Sequence, residues 1–195
     1  DVIPAKRVAS IFVPQRNKPE LNTDGDGFYW VTMEQMRTDV ITTSDFFLCV
    51  SAAIDAGIRV LPAGAVVASC VGTFGLAAIN VVDVVINQQL QAFEPTADIV
   101  PSFLRYCVLL AEGYFNQIGT AATITYVNQL GFANMPLALP PKDEQYEIVK
   151  ALTLELSNLD ALTIEATSAI TLLNERRSAL ISAAVTGQID VRGLT

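Results

Sequence analysis

The sequence predicts a mixed α+β protein in which a curved, β-rich domain over residues 1–141 is followed by one long α-helix in residues 142–195. Three observations carry that expectation. Short runs rich in Val, Ile and aromatic residues, punctuated by Gly, Pro, Asn and Asp, fill the first part of the chain. Strand signals stop after "LPP" at 139–141. From there to Gly187 no Gly or Pro intervenes, and apolar positions recur at helical spacing.

Within residues 59–95, "RVLPAGAVVASCVGTFGLAAINVVDVVINQQLQAFEP" reads as strands near Arg59–Leu61, Val66–Cys70, Leu76–Asn80, Val84–Ile86 and Leu90–Phe93. Asn87 and Gln88 are expected to sit in a strand. A helix follows. Pro101 suits its first turn, Phe103, Tyr106, Cys107 and Leu110 share a face, and Gly113 or Gly119 marks its end. A second, short helix is expected around Val127–Phe132.

After residue 141, Ile148, Leu152, Leu156, Leu159, Leu162, Ala166, Ile170, Leu173, Arg177, Leu180 and Ala184 follow one another at steps of three or four. About 45 residues at about 1.5 Å each make a helix about 67 Å long, more than a domain of the preceding residues can cover. Leu154, Ile164 and Leu172 widen the apolar surface beyond one stripe. An internal hairpin needs a second long helix, and the sequence predicts none, so the helix is expected to pack against a helix of another chain.

Composition narrows the function classes. There is no histidine, which removes Ser-His-Asp and Cys-His arrangements and weighs against an enzyme. Cys49, Cys70 and Cys107 are odd in number and show no CxxC spacing, so neither a disulfide framework nor a metal site is expected, and a cytoplasmic chain with buried thiols fits. No phosphate-binding glycine motif occurs, and no cofactor is predicted. The acids Asp24 and Asp26 in "NTDGDGFYW", with Glu34 just beyond it, form a pattern that suits a solvated loop better than a carboxylate active site. The formal net charge is −8, divided −5 over residues 1–141 and −3 over the rest, which taken alone disfavours an autonomous nucleic-acid binder. The uncharged run Ala63–Ile79 is too rich in turn residues for a spanning helix, and no membrane partner is expected.

Two blocks resemble a known family. "LALPPKDEQYEIVKAL" at 137–152 is similar to the "PLPP..EQ..IV" junction of the DNA-specificity subunit of type I restriction-modification systems, and "LLNERRSALISAAVTGQIDVR" at 172–192 resembles the terminal signature of that subunit's conserved helix. Weaker likenesses lie in "FYWVTMEQM" at 28–36, "LPAGAVVASCVGTFGLAAI" at 61–79, "INQQLQAF" at 86–93 and "IGTAATITYVNQLGFANMPLALPP" at 118–141. The resemblance implies a target recognition domain, followed by a helix that packs antiparallel against another of its kind as a coiled coil. A full subunit has two of each, so this chain corresponds to half. Pairing with a second copy of itself would restore the whole, reading a palindromic, bipartite target in double-stranded DNA. The resemblance also implies modification subunits as partners, which methylate adenine, and through them a restriction subunit; the chain itself would be non-catalytic.

Base contacts draw on Arg, Lys, Asn, Gln, Ser and Thr in loops. The candidates are Arg16, Asn17 and Lys18 near the N-terminus; Arg37, Thr42 and Thr43 after "WVTMEQM"; Thr73 in its glycine turn; and Thr120, Thr123, Thr125 and Asn128 before the final strand. Some have plainer uses: Thr73 also suits a strand turn, Asn128 a helix cap, and Arg37 an ion pair with a surface acid. For Asn87 and Gln88, in their strand, a structural role competes with DNA contact. On the helix, Ile148, Leu152, Leu156, Leu159, Leu162, Ile170, Leu173 and Leu180 form the partner face. Arg176 and Arg177 can meet Glu144 and Glu147 of an antiparallel neighbour, and Gly187 suits a C-cap. The competing reading is a scaffold or decoy that binds modification subunits without reading DNA.

Overall fold

The computed structural model describes residues 2–15, 20–23, 25–120 and 124–189, which form two compact units, 1–149 and 150–195. In chain order the first unit contains β1 (Val2–Pro4), β2 (Ala9–Phe12), β3 (Phe28–Val31), β4 (Val40–Ile41), β5 (Phe47–Leu48) and α1 (Val50–Asp55). There follow β6 (Val66–Ser69), β7 (Ala77–Asn80), β8 (Val84–Ile86), β9 (Leu90–Pro95), α2 (Pro101–Leu110), α3 (Glu112–Ile118), α4 (Gln129–Ala133) and β10 (Pro136–Ala138). Helix α5 (Lys142–Val185) begins in the first unit and continues through the second.

The strands make three sheets: a five-stranded sheet in the order β2-β9-β6-β7-β4, a three-stranded sheet β5-β3-β8, and the pair β1-β10 that joins the two ends of the domain. Side chains alternate across the five-stranded sheet. Val66, Ala68 and Phe93 pack with Phe103, Leu104, Phe115 and Phe132 of the helices, whereas Val67, Ala78 and Ala92 pack with Val31, Val84 and Ile86 of the smaller sheet. Burial on both faces explains why β6 is a continuous apolar run rather than an alternating one. The outer face of the smaller sheet, with Trp30 and Val85, packs on Ala53 of α1.

Most predicted elements occur within a residue or two of their expected limits. Arg59–Leu61 is an exception, since only Leu61 bridges a strand, at Val84. The helix expected from Pro101 divides at Ala111 into α2 and α3, with Gly119 closing the second. Arg105 of α2 is buried; its Nε donates to Ala77 O at 2.8 Å and its guanidinium pairs with Asp39, tying the helix to the sheet edge. Gly27 has φ +119°, and a Cβ there would meet the Leu48 carbonyl oxygen at 2.1 Å, so the turn into β3 admits only glycine.

The junction lies inside α5. Gln145 is fully buried: its Oε1 accepts from Val100 N at 2.8 Å, while its Nε2 donates to Asp98 O at 3.1 Å and Pro140 O at 3.0 Å. Ile148 and Val149 are half-buried against the domain core, which is why the compact units divide after residue 149 and not after 141. Ile148, expected on the partner face, is therefore engaged by its own domain. Past that point the stripe is open: Leu152, Leu156, Leu159, Leu162, Ile170, Leu173 and Leu180 are 37–63% exposed. Thr163, Thr167 and Thr171 turn their hydroxyls onto the carbonyls four residues earlier, so these β-branched residues satisfy themselves within the helix. The helix ends as expected at Gly187, with φ +73°; Gly187 N donates to Ala184 O and Gln188 N to Ala183 O, the two bonds of a Schellman cap. No helix among the described residues is long and apolar enough to cross a membrane.

Candidate nucleic-acid interface

One end of the five-stranded sheet gathers several loops. The turn after β6 is bonded to the loop before α4: Gly72 N donates to Thr125 O at 2.8 Å, Val127 N donates to Cys70 O at 3.0 Å, and Tyr126 bridges both Val71 and Thr120. The register Phe12↔Ala92 and Ser69↔Leu90 brings the exit of β2 and the entry to β9 to this same end. Between them lies an open cleft of about 480 Å³, lined by Val13, Pro14, Cys70, Val71, Gln88, Leu90, Gln91 and Tyr126.

Asn87, Gln88 and Gln89 form a turn that carries the chain from the smaller sheet into the larger one. This corrects the expectation that Asn87 and Gln88 sit in a strand: β8 ends at Ile86 and β9 starts at Leu90. Asn87 N donates to Val31 O at 3.0 Å, its Oδ1 accepts from Gln89 N at 3.1 Å, and its Nδ2 donates to Gln89 Oε1 at 3.2 Å. The turn borders a second groove of about 310 Å³ with Trp30 and Thr32, and Gln88 belongs to both depressions.

Among the described residues, neither depression is lined by a charged side chain. Burial pushes the Cys70 thiol up to about 11, an effect softened by the neighbouring Gln91 amide, so Cys70 too is neutral. Gln91 is buried, donates from Nε2 to Val127 O at 3.0 Å, and leaves its Oε1 without a partner. In a chain of net charge −8, the described lining of these two depressions offers amides and hydroxyls beside apolar side chains, with no carboxylate to repel a phosphate backbone. Amides read base edges by paired donor and acceptor contacts.

The expected DNA-contacting residues divide into groups. Thr73 and Thr120 are exposed and Thr125 half-exposed at this loop end. Thr73 also shapes its turn, its carbonyl accepting from the Ser69 hydroxyl. Asn128 caps α4, its Oδ1 accepting from Gly131 N at 3.0 Å. Asn128→Ala is expected to lower stability by about 1 kcal/mol, measured by denaturant unfolding followed at Trp30, the single tryptophan. Thr42 and Thr43 leave β4 beside Asn80, by the register Ile41↔Asn80, and so lie at the opposite end of the sheet, where Glu34 and Asp45 line the neighbouring hollow. Arg37 is exposed in the 3-10 turn that precedes this edge strand. Arg16, Asn17, Lys18 and Thr123 lie outside the described residues, as does Asp24.

Comparison with known proteins decides the family. Residues 12–173 match the model of the type I restriction modification DNA specificity domain. The chain belongs to this family. Three solved structures share its fold. A chain from a structure of the assembly and conformational transition of the type I R-M system matches with TM-score 0.78 and 20% identity over 94% of this chain. The HsdS subunit from Thermoanaerobacter tengcongensis matches with TM-score 0.69 and 20% identity over 83%. The S subunit of a type I system from M. genitalium matches with TM-score 0.56 and 11% identity over 84%. The chain spans 45, 38 and 40% of those three chains.

Membership makes this a chain of DNA specificity and not of catalysis. It also gives the junction motif of the type I specificity domain a physical meaning: the glutamine of "PLPP..EQ..IV" is Gln145, whose amide holds the helix start to the loop ahead of α2. Nothing local in the sequence gives Gln145 that role or marks Thr32, Gln89 and Tyr126 as members of the loop end.

Proposed function

We propose that the chain is one half of a type I specificity subunit: its domain reads one half of a bipartite, palindromic target in double-stranded DNA, and its helix pairs with a second copy. The pair docks modification subunits, and through them a restriction subunit, in the cytoplasm where the DNA lies. One observation carries this reading: the recognition domain runs through a buried glutamine into a 44-residue helix whose leucine stripe is exposed along the described residues. The loop end, with its two depressions lined in part by amides, is the reading surface. Phosphate attraction comes largely from the modification subunits, which reconciles an acidic chain with a DNA-directed role.

Electrophoretic mobility shift of the chain assembled with its modification subunit tests this against DNA duplexes of varied sequence. Sequence-dependent binding is expected; assembly without it supports the scaffold reading instead. Replacing Arg16, Lys18 and Arg37 together by alanine should weaken DNA binding about tenfold or more at moderate salt and lower the salt slope by about 3, with assembly intact. Unchanged affinity across several salt concentrations removes these three from the DNA surface.

A further inference from the structure

Along a helix that advances about 100° per residue, positions 4, 7, 11 and 14 residues to either side of a given residue return to its face. Counted from Ala166, these positions hold matched apolar residues: Leu162 and Ile170, Leu159 and Leu173, Leu152 and Leu180. At eleven residues on either side stand Glu155 and Arg177. Both charges thus lie within about 20° of the direction of Ala166, inside the apolar stripe. Both are exposed, and the ion pair found among the described residues is Arg105 with Asp39, elsewhere in the fold.

We propose that two copies of this chain pair antiparallel about a two-fold axis at Ala166, so that Glu155 of each copy faces Arg177 of the partner subunit. The proposal rests on the self-pairing reading given above and adds its register. A charge buried in an apolar seam is costly alone and tolerable when paired, so two symmetric pairs penalise every alignment that separates them. Such a polar contact specifies register in the way that buried polar residues do in coiled coils. The axis itself falls on an alanine, which keeps two bulky side chains from competing for one place.

One register among those the helix-end charges allow, in which Arg177 meets Glu147 of the neighbour, centres the axis on Leu162. It sets Leu159 against Glu165, Leu180 against Glu144, and Glu155 against Ala169. Apolar residues then face acids, and Glu155 has no cation. Centring on Ala166 removes all three mismatches. The choice has a functional consequence, because it sets the axial distance between the two helix starts. That distance is about 72 Å from Lys142 to the partner's Lys142 with the axis at Ala166, and about 60 Å with it at Leu162. At about 3.4 Å per base pair the difference is three to four base pairs, so the register helps to fix the spacing of the two half-targets.

Cysteine cross-linking distinguishes the registers. Burial raises the thiols of Cys70 and Cys107 to about 11, whereas Cys49 is lowered by its hydrogen bonds around Ser51, so the full chain carries Cys49→Ser as background. Under mild oxidation Ala166→Cys should form a disulfide-linked dimer at least tenfold faster than Leu162→Cys. Faster linkage at 162, or equally slow linkage at both, overturns the register while leaving self-pairing standing if the unlinked chain sediments as a dimer. Glu155→Arg should weaken the dimer at least tenfold by sedimentation, and adding Arg177→Glu should restore it to within about threefold. Failure of the second change to rescue the first also overturns the pairing. A chain that remains monomeric at high micromolar concentration overturns the register together with the self-pairing reading.

Discussion

Gln145→Ala is expected to lower the unfolding free energy of the recognition domain by about 2–4 kcal/mol, a large effect for one polar side chain. The substitution removes three hydrogen bonds at once, leaving the amide of Val100 and the carbonyls of Asp98 and Pro140 without their partner in a fully buried place. An unsatisfied buried group costs about 1–3 kcal/mol, and water entering the space vacated by the side chain offsets part of the total. Gln145→Glu is no rescue. It keeps an acceptor for Val100 N but turns a carboxylate towards two carbonyl oxygens and buries its charge. Urea unfolding followed by fluorescence of Trp30, which is itself in the domain core, gives the measurement. Tyr146→Ala, at an exposed neighbour, serves as the control and should cost little. A loss below about 0.5 kcal/mol for Gln145→Ala would mean that the junction is held by the packing of Ile148 and Val149 alone.

That residue also shows what could be read from the sequence. The long helix was legible because its 3.6-residue periodicity runs without Gly or Pro to a glycine cap, a signal that depends only on local chemistry. Strands β6 to β9 were legible because sandwiching between two layers makes them short apolar runs between turns. The burial of Gln145 was not, since a glutamine in a helix's second turn resembles any surface residue until the amide of Val100, 45 positions earlier, is brought to it. Asn87 and Gln88 were misplaced for a related reason. The flanking "VVI" and "LQAF" read as one strand-rich stretch, and nothing local reveals that the chain changes sheets between them. Loop chemistry likewise could not separate Thr42 and Thr43 from Thr73 and Thr120; only the register of β4 against β7 sets them at opposite ends.

Leu159→Asp combined with Leu173→Asp is expected to weaken self-pairing at least a thousandfold while the recognition domain stays folded. Both leucines are well exposed in the single chain, 57 and 63%, and belong to neither domain core, so their loss should leave the Trp30 signal and its unfolding midpoint unchanged. In a symmetric pair each substitution occurs twice, so four leucines leave the seam. At about 2 kcal/mol for each buried leucine the loss is about 8 kcal/mol before any charge penalty, and each 1.4 kcal/mol is a factor of ten. In the register centred on Ala166, Leu159 faces Leu173 of the partner subunit, so each new carboxylate also opposes another. Sedimentation across a concentration series provides the readout, with the unaltered chain expected to dimerise in the micromolar range. If DNA reading requires two half-sites presented together, the same variant should lose its preference for the palindromic target when assembled with modification subunits, falling towards the affinity for an isolated half-site. A variant that still sediments as a dimer would show that the leucine stripe is not the seam. A dimer lost with palindrome preference intact would show that the modification subunits alone set the spacing of the two reading domains.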